Sequence, residues 1–280
     1  MNVSQFVSRR SIAVVAGLFG MVSLAIGAHA ALNKRALDAA KAIDSEQAAE
    51  AAGKPSRLAL VIGNGHYPDA AAPLNQPIND ARALTATLRQ SGFDVDVVED
   101  ASKDDMQRAV GRLKSKVKPG SVVMLFFGGY GIQANRETYM IPVDARIWKE
   151  GDVRREGVSV ESVLDAVKEK GARAKLVVID ASRRNPYERR FRSYSHGLAP
   201  IAASDNALVL TAATPGKVAD DSKGQNSVLV SALLDNLKAQ GAGGIEGVFN
   251  KTRVAISRAS DGAQVPAVSS SLLDEIRIGG

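Results

Sequence analysis

The chain has 280 residues, 45% hydrophobic and 24% charged; this is the balance of a folded globular protein and excludes an intrinsically disordered, collagen-like or multi-pass membrane chain. It has no cysteine and only three histidines, so disulfides, thiolate metal centres and a cysteine nucleophile are excluded and a histidine zinc site is hard to assemble. The formal charge is +6, but Arg9 and Arg10 face no acid within the first 30 residues, which leaves +4 for the remainder, too mild an excess to suggest nucleic acid.

Residues 1–30 read as a secretory signal peptide. Arg9 and Arg10 precede an uncharged apolar run, Ser11 to Ala28, and Ala28-His29-Ala30 supplies a small-x-small cleavage site. The alternative is a retained membrane anchor, since 18 residues lie near the lower limit for a span. Either way the folded part is expected outside the cytoplasm, periplasmic or secreted, where a lack of cysteine is well suited. The membrane is a partner only if this segment is retained. Residues 31–55, alanine-rich and charged, read as a tether, and residues 56–280 as the folded domain.

From Arg57 onward short apolar runs alternate with helical patterns. Leu58–Ile62, Val95–Val98, Val122–Phe127, Leu176–Ile179 and Ala207–Leu210 are predicted strands; helices are predicted near 79–91, 102–117, 158–170, 226–240 and 245–260. A run such as Val122-Val-Met-Leu-Phe-Phe127 has no polar face, as in strands of a parallel sheet buried on both sides. The alternating run Phe93–Val98 reads as an edge strand. The β–α order predicts an α/β fold, a mostly parallel central sheet with helices on both faces.

Such sheets place ligands at the carboxyl ends of their strands. Three ends carry unusual loops: Gly63-Asn-Gly-His-Tyr67, Gly128-Gly-Tyr-Gly-Ile-Gln133 and Asp180-Ala-Ser-Arg-Arg-Asn-Pro186. Ser182 is a candidate nucleophile only with a base beside it, and Tyr130, with an ordinary pKa of about 10, is a poor one. His66 is the alternative base, against a reading as a surface turn residue; His196 stands in the same position. Asp80, at the predicted opening of a helix, would ordinarily be a cap or a first-turn charge. If it faces Asp180, the two carboxylates make a socket for a guanidinium or ammonium group.

These segments resemble the bacterial caspase-like and metacaspase-like peptidases. The resemblance rests on Leu58-Ala-Leu-Val-Ile-Gly-Asn64, Leu74 with Asn79-Asp-Ala81, Phe126-Phe-Gly-Gly-Tyr-Gly131, Ile141-Pro-Val-Asp144, Val178-Ile-Asp-Ala-Ser-Arg183 with Asn185-Pro186, Gly197-Leu-Ala-Pro200, and Gln264-Val-Pro266 with Ser269-Ser-Ser-Leu272. It spans about residues 57–273 and implies the caspase–haemoglobinase fold. It also implies that Tyr130 stands where the family carries its catalytic histidine and Ser182 where it carries its nucleophilic cysteine. In metacaspase-like relatives, acids at the positions of Asp80 and Asp180 line a pocket for Arg or Lys. The resemblance therefore implies a pseudopeptidase that binds Arg- or Lys-bearing peptides or proteins. The alternative is a hydrolase that cleaves after basic residues through Ser182. No cofactor or metal is expected; Asp144 is placed suggestively for a calcium ion, but no paired-Asp cluster follows.

Other features carry less. The basic loop with Arg183, Arg184, Arg189, Arg190 and Arg192 reads as a solvated surface, or as an internal pseudosubstrate with one arginine in the acidic pocket. Ser115-Lys-Val-Lys118, Ser204-Asp-Asn206 and Lys251-Thr252 follow the order seen in penicillin-recognising serine enzymes, but in the wrong structural settings. Gly63-x-Gly65 is too short for a dinucleotide loop. Trp148 and Tyr139 read as packing or rim aromatics.

Overall fold

The apolar runs without a polar face become the middle of a single sheet. We describe residues 56–68, 73–191, 197–219, 224–239 and 244–278 of a computed structural model. The expected signal and tether, as well as His29, Arg192 and His196, lie outside them.

In chain order the first elements are β1 (Arg57–Gly63), α1 (Gln76–Gln90), β2 (Asp94–Glu99), α2 (Lys103–Lys116) and β3 (Val122–Gly128). A smaller group follows: β4 (Gly131–Ala134), β5 (Glu137–Met140), α3 (Glu150–Glu156), β6 (Val158–Ser159) and α4 (Val160–Lys168). The last are β7 (Ala174–Asp180), β8 (Ala207–Thr211), α5 (Val228–Lys238), α6 (Ile245–Ala259) and β9 (Ala267–Ser270).

The main sheet has the order β2-β1-β3-β7-β8-β9, parallel throughout except for β9, which runs antiparallel to β8. Because strand side chains alternate between faces, each central strand feeds two cores. Met124, Phe126, Leu176 and Val178 pack with Leu84 of α1, Leu233 of α5 and Phe249 of α6. Val123, Leu125, Phe127, Val177 and Ile179 pack on the other face with Met106 of α2 and Val163 and Val167 of α4. Truncating one such ring, Phe126→Ala, removes about 3–5 kcal/mol. The predicted edge strand is the sheet edge, with Asp94 exposed and Val95 buried.

Two boundaries differ from expectation. Helix α1 begins at Gln76, three residues before the predicted start, with Pro77 in its first turn, where the fixed φ of proline suits a helix and its missing N–H is not needed. This puts Asp80 a full turn inside the helix, so it caps neither that helix nor its first turn. The region 158–170 is divided between β6 and α4, which starts at the N-cap Ser159, whose hydroxyl accepts from the Ser162 N–H.

The antiparallel trio β4-β5-β6 and helix α3 were not anticipated. The β4–β5 turn, Asn135-Arg136, has φ of 51° and 67°, two successive left-handed residues as in a type I′ hairpin. Helix α2 is held at its start by a capping box between Ser102 and Asp105 and by Asp144, whose Oδ1 accepts from the Lys103 N–H at 2.9 Å. Among the described residues no helix is long and apolar enough to cross a membrane.

Candidate functional site

Gly63, Gly128 and Asp180 lie in register at the carboxyl ends of β1, β3 and β7, so the three loops singled out in the sequence leave the sheet at one level. Two of them are clasped by main-chain bonds. Gly129 N–H donates to the Asp180 carbonyl and Gly131 N–H to the Ala181 carbonyl, both at 3.2 Å. Residue 130 is therefore held beside residues 180–182 from both sides. Gly129 has φ of +154°, and a Cβ there would lie 2.5 Å from the Tyr67 hydroxyl, so only glycine fits.

The β1 loop buttresses this pair. Tyr67 is buried; its hydroxyl accepts from the Tyr130 N–H at 3.1 Å and donates to the Ile141 carbonyl at 2.9 Å, and burial drives its phenol well above the ordinary range. The Tyr67 and Tyr130 rings meet edge to face with centroids 4.8 Å apart. Asn64, also buried, accepts from Ala101 N–H at 2.8 Å and donates to the Ile141 carbonyl at 3.2 Å.

Burial raises the Tyr130 phenol, partly offset by the positive charge of Arg183. A phenol above 10 accepts no proton from a serine near neutral pH. Ser182 is 1% exposed, and among the described residues nothing hydrogen-bonds its Oγ. Its carbonyl is held by the Ala219 N–H at 2.6 Å. His66 is exposed, and its Nδ1 lies 2.6 Å from Asp100 Oδ2, while Asp100 Oδ1 accepts from the Gly65 and His66 N–H groups. The imidazole is thus tied to a carboxylate and makes no bond to Ser182.

Asp80 is 0% and Asp180 4% exposed. Asp80 Oδ1 accepts from Asn226 Nδ2 at 2.8 Å and from the Ser227 N–H at 3.0 Å, at the start of α5. Burial pushes the Asp80 carboxyl up to about 6, and the negative charge of Asp180 adds to the rise. The two acids, which the sequence pairs as a socket on condition that they face each other, are close enough for their charges to interact. Asp80 Oδ2 and Asp180 Oδ2 are both buried and accept no hydrogen bond from any described residue. Buried polar atoms are almost always satisfied, so each of these oxygens marks a position for a donor. Asn226 and Ser227 were not singled out in the sequence; Ser227 is legible as an N-cap, whereas nothing local marks Asn226 as a partner of Asp80.

The arginine loop does not supply that donor among the described residues. Arg183 is buried, 7% exposed, with its N–H folded onto the Ala181 carbonyl at 2.8 Å. Arg190 donates to the Ile147 carbonyl at 2.7 Å and stacks 4.7 Å from the Trp148 ring and 5.4 Å from the Tyr187 ring. Trp148 is 68% exposed and Tyr139 buried, one a rim and one a packing aromatic. Ser115 lies in the last turn of α2, Ser204–Asn206 in a turn, and Lys251-Thr252 inside α6. Among the described residues no group of three or more histidines or acids is disposed to hold a metal ion.

The peptidase C14 family model, described as caspase domain, matches residues 56–277. The human mucosa-associated lymphoid tissue lymphoma translocation protein 1 is 30% identical over 134 residues, 47% of this chain and 16% of that protein. Its Mus musculus homolog is 30% identical over 144 residues, 50% of this chain and 17% of that protein. The chain thus spans about a sixth of the length of the curated relatives it matches.

Proposed function

This chain belongs to the caspase-domain family of peptidases, and on that premise we propose that it is a non-cleaving member that holds an arginine or lysine side chain of a peptide or protein between Asp80 and Asp180. The observation that carries the reading is the pair of buried, unbonded oxygens, Asp80 Oδ2 and Asp180 Oδ2. A guanidinium or ammonium between them supplies charge-assisted hydrogen bonds and removes the repulsion that raises the Asp80 carboxyl.

Silence follows from the proton path. A serine hydroxyl attacks a carbonyl only as a base takes its proton; the Tyr130 phenol is raised by burial, and Arg183, the next residue, carries a guanidinium that accepts no proton. From serine-protease precedent, loss of such a pair costs about 10⁴–10⁶ in turnover. Because Asp80, Asp180 and Ser182 are buried, the side chain enters by parting contacts such as Ala219 N–H to the Ser182 carbonyl. The protein works outside the cytoplasm, a reading supported by Arg9-Arg10, the apolar run that follows and the absence of cysteine.

The test pairs titration calorimetry of an arginine-bearing peptide with a fluorogenic peptidyl-arginine assay. We expect binding that falls at least about tenfold in Asp180→Asn, about 1.4 kcal/mol, and no turnover that depends on Ser182. Hydrolysis abolished by Ser182→Ala, or equal affinity for peptides with alanine in place of arginine, overturns the reading.

A further inference from the structure

Asp80 does not offer its two oxygens equally. Helix α1 carries Asn79 and Asp80 in succession, and both hold the chain where α5 begins. Asn79 Nδ2 donates to the Gln225 carbonyl at 3.1 Å, while Asn226 Nδ2 and the Ser227 N–H donate to Asp80 Oδ1 at 2.8 and 3.0 Å. Two donors use both lone-pair positions of Oδ1 and keep the carboxyl plane in one orientation. Oδ2 is left buried and without a bond from any described residue. When the acid is neutral its hydrogen sits on Oδ2, because on Oδ1 it would point at two N–H groups. The atom that takes the proton is thus the atom open to a ligand's cation.

The surroundings pit one proton against one cation. Burial, and then the charge of Asp180 at the end of β7, push the Asp80 carboxyl up, while the bonds from Asn226 and Ser227 act the other way. Where α1 meets the ends of β1 and β3, Pro77 and Ala81 pack on Gly63 and Gly128, which do not titrate. Arg82 of α1 is exposed and paired with Glu99 of β2, and Arg183, three residues after Asp180, acts on Tyr130. From the start of α5, Asp80 receives two neutral donors. Resting on the reading of Asp80 and Asp180 as a socket for a basic side chain, we propose that the socket exchanges a proton for its ligand at Asp80 Oδ2, and that Asn226 is the positioning residue that sets this exchange by occupying Oδ1 and favouring the ionised carboxylate. Binding sends the proton of Oδ2 to solvent and puts an N–H of the guanidinium or ammonium in its place. Below the midpoint of the exchange, affinity falls about tenfold for each unit of pH.

The experiment uses the whole chain and an arginine peptide that is N-acetylated, C-amidated and free of acidic residues and histidine, so that the ligand itself does not titrate near neutral pH. Calorimetry in two buffers of different ionisation enthalpy counts the protons released on binding. The parent is expected to release about one proton per peptide at about pH 5 and almost none at about pH 8. Asn226→Ala removes a donor to the ionised form, so its curve of affinity against pH moves about one unit toward alkaline pH. That shift assigns the proton to Asp80, the carboxyl that Asn226 touches. A purely structural loss instead lowers affinity by the same factor at every pH and leaves the midpoint in place. Asn226→Asp, close in shape, moves the curve further the same way and takes the place of the alanine variant if that one does not fold. Binding without proton release at about pH 5, or a midpoint unmoved in the variants, overturns the proposal and leaves the basic socket standing. No binding by the parent at any pH overturns both.

Discussion

The Tyr67 hydroxyl accepts from the Tyr130 N–H while donating to the Ile141 carbonyl, so one buried phenol joins the loop after β1 to the loop after β3. Phenylalanine keeps the ring and its edge-to-face contact but strands the Tyr130 N–H and leaves the Ile141 carbonyl only its bond from Asn64. Tyr67→Phe is expected to cost about 1–3 kcal/mol. A urea midpoint lowered with an unchanged slope checks this; an unchanged midpoint refutes it.

On the proposed reading Tyr130 and Ser182 stand where the family carries its catalytic histidine and cysteine, and chemistry returns only if both change. Tyr130→His with Ser182→Cys places a titratable imidazole and a thiol on the existing clasp. We expect the double variant to cleave a peptidyl-arginine substrate at least about 10³-fold faster than either single variant, because such residues act as a unit. The check is initial rates at equal folded fraction, verified by circular dichroism. Additive single effects would show that 130 and 182 do not work as a pair.

The Asp80 carboxyl, raised from 3.8 to about 6, makes stability depend on pH. Below about pH 4 folded and unfolded chains both hold the proton, and no difference arises. Between about 4 and 6 the unfolded chain releases it first and the native state is penalised. Above 6 the full cost, about 3 kcal/mol, is present. Asp80→Asn keeps an oxygen to accept from Asn226 and Ser227 yet carries no charge. This variant should match the parent near pH 4 and exceed it at pH 7.5, as read from urea midpoints at the two values. Affinity for a basic peptide should rise in the parent as pH passes upward through about 6, since ionised Asp80 is the better partner.

A methyl group at residue 131 tests the clasp. A Cβ at Gly131 would lie 2.6 Å from Leu198 Cδ2 and 2.9 Å from Ala181 Cβ, closer than packed atoms approach. Gly131→Ala is expected to lose about 1–3 kcal/mol and, placed on the Tyr130→His, Ser182→Cys background, to remove the restored cleavage even where the protein stays folded. Thermal melts and the same peptidyl-arginine assay read the two effects separately.

What could be read from the chain divides along physical lines. Val122–Phe127 and Ala174–Asp180 are legible because a strand buried on both faces leaves an unbroken apolar run. The trio β4-β5-β6 is not, since Gly131–Ala134, Glu137–Met140 and Val158–Ser159 are too short for periodicity, and their turn is Asn-Arg rather than the more telling Asn-Gly. Helix α3 buries only Asp152 and Val153 and has no apolar stripe. At the site, glycines flanking Tyr130 and the acid two residues before Ser182 mark the loops. The partnership of Asp80 with Asn226 spans 146 residues, and neither side chain carries a local sign of it. The burial of Arg183 is equally hidden, because within an arginine-rich stretch the sequence favours solvent.

The bonds that hold residue 130 against residues 180 and 181 come entirely from peptide groups. Whatever side chain is encoded there inherits the same placement, and the same holds for its neighbour at 182. Altering residues 130 and 182 therefore changes the chemistry offered at the ends of β3 and β7 without removing a bond that ties the two loops together.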